Sequence, residues 1–191
     1  IEIANPRHLK KHENRLAFLQ RKLSKKIRGS ANRKKSKKKV ALLHEKVANT
    51  RRDFLHNLSH HLVNNYSFIA LEELSSKKMS EQNYGRQIRD AGWNMFANML
   101  GYKAESAGCT VVLVNPKDTT KECSACGSIK NMPLSERVYE CKNCGMITGR
   151  DMNASINILN RATAGIAGSN ACGDEAMALS GKQEAAPFRV R

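Results

Sequence analysis

YSFIALEELSS, residues 66 to 76, is the stretch on which the fold turns. Its middle, Phe68 to Leu71, is a short continuous apolar run, the pattern of a strand covered on both faces. The run ends in two acids, Glu72 and Glu73. An acid at the exit of a buried strand usually marks only where the chain meets water. A second acid brought to the same place would give it chemistry.

Working downstream, residues 77 to 85 are polar and end in Gly85, a loop. From Arg86 to Ala107 the apolar residues Ile88, Met95, Phe96, Met99 and Tyr102 recur on one helical face, with Gly108 placed to end the helix. CTVVLV, Cys109 to Val114, is a second apolar run. Strand, helix and strand in succession predict a parallel pair joined by a crossover, and hence an α/β core. Cys109 reads as a small buried hydrophobe.

Two C-x-x-C pairs follow, Cys123 with Cys126 and Cys141 with Cys144, each trailed by glycine and separated by 14 residues. Each pair puts two thiolates on one tight turn, and the glycine lets backbone amides face the sulfurs. The spacing is that of a four-cysteine zinc ribbon, a closed structural site with no position open to substrate. Iron also suits four thiolates. Paired C-x-x-C cysteines also fit a reducing compartment better than a disulfide framework does, which predicts a cytoplasmic chain.

Asp151, in GRDMNASINIL, opens the next helix, with Ala154, Ser155 and Ile158 on its face. An aspartate there ordinarily serves the helix terminus. Combined with Glu72 it supplies a second oxygen donor for Mg or Mn, and such ions hydrolyse phosphodiesters. No convincing third acid appears: Asp53, Asp90 and Asp118 read as ordinary surface charge.

Working upstream, residues 7 to 52 carry 18 of the 33 Lys and Arg but only two acids, Glu13 and Glu45. Leu9, Leu16, Leu19 and Leu23, then Val40, Leu43, Val47, Phe54, Leu58 and Leu62, keep helical spacing on either side of IRGSANRKKSKKK. They predict a basic helical hairpin. The net charge of +16 at pH 7 points to polyanions, and the lack of Trp or Phe anchors favours nucleic acid over a membrane surface. No apolar run reaches the roughly 18 residues of a membrane span, so a soluble chain is expected. Ile1 stands where an initiating methionine would, and the chain is expected to be part of a longer protein. After Arg161 the sequence turns Ala-, Gly- and Ser-rich, and a disordered tail holding Cys172 is expected.

NPRHLKK near the start, the basic hairpin, RRDFLHNLS, IALEEL, DAGW, the cysteine pairs and RDMNASINIL together resemble the C-terminal portion of the transposon-encoded TnpB (OrfB) proteins, relatives of type V CRISPR effectors. The resemblance covers nearly the whole chain. It implies an RNase H-like (RuvC) nuclease domain interrupted by a zinc ribbon, cutting DNA under the direction of a guide RNA. It assigns Glu72 to the family's second catalytic acid and Asp151 to its third, and the zinc ligands to Cys123, Cys126, Cys141 and Cys144. The first catalytic Asp belongs to a G-I-D-type strand that residues 1 to 191 lack, so the resemblance implies an incomplete RuvC domain whose missing N-terminal part is a partner. The expected divisions are a remnant strand at 1–6, the hairpin at 7–66, RuvC-like strand-helix-strand at 67–118, the ribbon at 119–148, the last RuvC-like helix at 149–161 and the tail at 162–191. A zinc-bearing DNA-binding protein without catalysis is the alternative.

Overall fold

The computed structural model describes residues 3–75, 85–133 and 135–169. They form two units, each with its own contacts.

The first unit is helical. α1 (His8–Ser24) and α2 (Ala31–Asn65) make the basic hairpin. Its turn is built by Gly29 at φ 83° and by Ser30, whose hydroxyl accepts the Arg33 amide at 3.2 Å and caps α2. Arg33 reaches back to the Leu23 and Lys26 carbonyls at 3.1 and 2.9 Å, closing the end of α1. The lysine run expected in the turn lies instead in α2, because Ser30 starts the helix before it. Leu43, Val47, Leu55 and Val63 are the buried apolar residues of α2, while α1 buries none fully.

The single helix expected over Arg86–Ala107 is two, α3 (Gly85–Ala91) and α4 (Trp93–Ala107). Gly92 separates them at φ 70°, a left-handed conformation that permits the break. Met99 is buried, but Met95 and Tyr102, expected beside it, are exposed. Asp90 is no surface charge, as it is 9% exposed. It accepts the Leu9 amide at 3.0 Å and the Arg51 guanidinium at 2.6 Å, supplying from 81 residues away the cap that Arg7 does not give α1. A Cβ on Gly92 would stand 2.9 Å from Leu55 Cδ1 and 3.3 Å from Arg51 Cδ. Gly92→Ala is therefore expected to destabilise the hairpin by about 2 kcal/mol, from strain and overpacking together. Urea unfolding followed by helical circular dichroism measures it, and an unchanged midpoint would refute the close packing of Gly92 on α2.

The second unit carries β1 (Phe68–Glu72) and β2 (Thr110–Val114), paired parallel with Phe68 opposite Thr110 and Glu72 opposite Val114. The predicted parallel pair is thus present. Both strands are only partly covered, however: β1 is half-buried throughout and Leu113 on β2 is exposed. Among the described residues this sheet has two strands, too few to bury both faces. Residues 3–6, expected to belong to a remnant strand, pair with no strand, and residues 1–2 lie outside the described residues. Gly108, at φ 65°, ends α4 as expected, with the Cys109 amide returning to the Ala104 carbonyl at 3.0 Å, and Cys109 is buried.

A short antiparallel hairpin, β3 (Val138–Glu140) with β4 (Ile147–Gly149), runs directly into α5 (Arg150–Ser169). This last helix packs on β1 and β2. It extends eight residues past the expected end at Arg161, and Ala162 is buried, so the start of the expected tail is helix. Residues 170–191, with Cys172, lie outside the described residues. No helix among the described residues is long and apolar enough to cross a membrane.

Candidate metal centres and a candidate nucleic-acid interface

The two cysteine pairs fold as copies of one turn. In the first, the Cys123 amide donates to the Ser128 carbonyl and the Gly127 amide to the Cys123 carbonyl, both at 2.9 Å. In the second, Cys141 to Met146 and Gly145 to Cys141 repeat both bonds at 2.9 Å. Gly127 and Gly145 take φ of 72° and 73°, which is why a glycine follows each pair. The four sulfurs lie within 4.8 Å of one another, with Cys123 to Cys144 at 3.7 Å and Cys126 to Cys141 at 3.6 Å. A tetrahedron with metal–sulfur bonds of about 2.3 Å has edges of about 3.8 Å, so the cluster could hold one metal ion.

The sulfurs' electrostatics agree with that use. Hydrogen bonds from Ser128 and Asn143 lower the Cys126 thiol to about 5. Cys144, despite a backbone hydrogen bond from Met146 that lowers it, is pushed up to about 12 by burial and by its three sulfur neighbours. Four thiolates this close repel one another unless a cation sits among them. Around them lie Met132, Met146 and the fully buried Tyr139, whose hydroxyl donates to the Lys121 carbonyl at 2.9 Å.

Glu72 closes β1, and its Oε1 accepts the hydroxyl of Thr119 at 2.7 Å. Asp151 stands in the first turn of α5 with its side chain 84% exposed, 3.6 Å from Arg150 Nε. Of the neighbours expected on its face, Ala154 is buried and Ile158 half-buried, while Ser155 is exposed. No bond joins Glu72 to Asp151 directly; they are linked through the chain. Asn157 Nδ2 donates to the Thr119 carbonyl at 2.9 Å, tying the Glu72 partner to α5 about 9 Å along the helix axis from Asp151. Among the described residues the four cysteines are the only group of three or more His, Cys, Asp or Glu able to hold an ion, so no third acid completes this pair.

In the first unit, a groove of about 800 Å³ runs between α1 and α2. Arg15, Lys22, Lys26, Lys35, Lys39 and Lys46 line it over a floor of Phe18, Leu19, Leu42 and Leu43, and its lining contains no acid. The charge concentrated in the sequence is thus concentrated in space.

Comparison with known proteins gives two family matches, "Probable transposase" over residues 1–83 and "Cas12f1-like, TNB domain" over residues 93–158. A "Putative RNA-guided DNA endonuclease" of Streptomyces pristinaespiralis is 39% identical over 176 residues, covering 91% of this chain and 42% of that protein. The "TnpB-like protein L79" of Acanthamoeba polyphaga mimivirus is 35% identical over 137 residues, 68% of this chain and 26% of that protein. The chain belongs to the TnpB family. It spans less than half the length of these two relatives. A solved structure titled as a Cas12f1-sgRNA-target DNA complex shares the fold, with a TM-score of 0.59 at 22% identity over 84% of this chain and 43% of that one.

Several residues that organise the TnpB chain were not legible in the sequence. Asn153 and Asn157, 0% and 4% exposed, face inward from α5 together with Arg161. Asn153 donates to the Glu122 carbonyl at 2.6 Å and accepts the Ser124 amide at 2.9 Å. Arg161 donates to the Asn115 and Lys117 carbonyls at 3.1 and 2.6 Å and pairs with Glu122. The polar face of the helix thus binds the segment between β2 and the first knuckle, which has no ladder of its own to satisfy its carbonyls. Asn, Asn and Arg at four-residue steps was the available signal.

Proposed function

We propose that this chain is the C-terminal, RuvC-like and ribbon-bearing part of an RNA-guided DNA endonuclease, cytoplasmic and acting in transposition. The similarity to a bacterial relative with that name supports the reading, and the placement of Glu72 at a strand end with Asp151 at the head of the helix packed on that strand carries it. Carboxylate oxygens are the donors Mg²⁺ or Mn²⁺ prefers, and when bound such ions supply an activated water and neutralise the charge of a phosphodiester in hydrolysis. Glu72 and Asp151 would hold them, and the missing N-terminal part would supply the remaining acid. The cysteine centre holds zinc, in keeping with four thiolates and a closed shell, and serves as a structural clamp. The deciding experiment is RNA-programmed, Mg²⁺-dependent cutting of a DNA target by the full-length protein, ended by replacing either acid.

Guide RNA and DNA are the partners the basic groove suits. Six lining cations that each neutralise a phosphate give a log–log salt slope of about −4 to −5, an affinity loss on the order of 10³-fold between 50 and 200 mM salt. Fluorescence anisotropy with a labelled oligonucleotide checks this, and equal affinity at both salts would remove the groove from the binding surface. If binding follows that slope but the full-length protein cuts nothing, the alternative of a zinc-bearing binder stands instead.

A further inference from the structure

We propose that Thr119 is a positioning residue for Glu72, holding one carboxylate oxygen so that the other is presented to a divalent cation. The inference rests on the reading of Glu72 as a metal-ligating acid. Thr119 is 2% exposed, and its hydroxyl lies 2.7 Å from Glu72 Oε1 and 3.2 Å from the Pro116 carbonyl. A hydroxyl has one proton, and the shorter, charge-assisted contact takes it. Among the described residues Glu72 Oε2 has no hydrogen-bond partner, which leaves it as the donor atom.

Thr119 is itself fixed. Its carbonyl accepts Asn157 at 2.9 Å, and the same amide donates to the Glu122 carbonyl at 2.7 Å. Pro116 precedes it and the Lys121 and Glu122 amides turn back to the Asp118 carbonyl at 3.0 Å, so the loop is a closed turn pinned to α5. A carboxylate at a strand end has two free torsions beyond its Cβ and samples many directions. A buried hydroxyl on a pinned turn removes most of that freedom, and partners of this kind raise metal affinity by about 10- to 100-fold.

Mn²⁺ binding to the zinc-loaded full-length protein, measured by electron paramagnetic resonance, tests the inference. Thr119→Val keeps the shape and removes the hydroxyl, and it is expected to weaken Mn²⁺ about tenfold. Thr119→Ser restores the hydroxyl and is expected to bind within about twofold of the unsubstituted protein. Glu72→Gln serves as the reference for complete loss of the ligand, and zinc content with circular dichroism reports folding in every variant. If Glu72→Gln loses Mn²⁺ while Thr119→Val retains it, the positioning role is overturned and Glu72 stands as a ligand. Equal loss in Thr119→Val and Thr119→Ser assigns the residue to packing and also overturns it. If Glu72→Gln binds as tightly as the unsubstituted protein, or that protein binds none, the ligand reading fails and the inference with it.

Discussion

Cys126→Ser is expected to empty the cysteine centre and unfold residues 122–149. A serine hydroxyl does not ionise near neutral pH, so one vertex of the tetrahedron is lost and the remaining sulfurs cannot close the shell. The module has little else to hold it: apart from its sulfurs, its buried cluster amounts to Met132, Met146 and Tyr139. Structural zinc contributes about 10 to 16 kcal/mol to small modules of this kind, far more than those three side chains supply. Metal content by mass spectrometry, with amide exchange across residues 122–149, reads both effects, and undiminished zinc would refute the four-thiolate site. Acid should act in the same direction. Protons compete with the ion for each thiolate. Zinc is therefore expected to be retained at neutral pH and released as the solution is acidified, and zinc content unchanged down to strongly acid pH would count against thiolate ligands.

The features readable in the sequence were those that repeat or alternate. Two identical C-x-x-C-G units gave the knuckles because each requires the same turn, and Gly127 and Gly145 adopt nearly the same φ. Two apolar runs gave the parallel strands. The break at Gly92 was hidden because the apolar spacing of 86–107 continues across it, and only the Leu55 contact across the hairpin explains why a glycine stands there. Asp90 was misread for a related reason: a charge looks like surface until the helix terminus and the guanidinium that neutralise it arrive from residues 9 and 51. The apolar code is local, whereas the satisfaction of buried polar groups is tertiary. Asn153, Asn157 and Thr119 belong to that second class.

Replacing Glu72 or Asp151 in the full-length protein is expected to reduce cutting on the order of 10³-fold or more while leaving nucleic-acid affinity within about twofold, since each removes charge from the site where the transition state develops it. The choice of substitution decides whether the result can be interpreted. Glu72→Ala would take the charged acceptor from the buried Thr119 hydroxyl and leave it only the longer contact to the Pro116 carbonyl, so a loss of activity would mix lost charge with a disturbed loop. Glu72→Gln keeps an oxygen for Thr119 and discards only the charge. Asp151 needs no such care, because its side chain is 84% exposed and its removal costs the helix terminus about 1 kcal/mol or less. Single-turnover cleavage of a labelled target, alongside binding without added Mg²⁺ or Mn²⁺, separates the two steps. Cutting that survives Asp151→Ala would show that the head of α5 serves the helix alone, whereas joint loss with binding preserved would place both acids in one active site despite the chain of Thr119 and Asn157 between them.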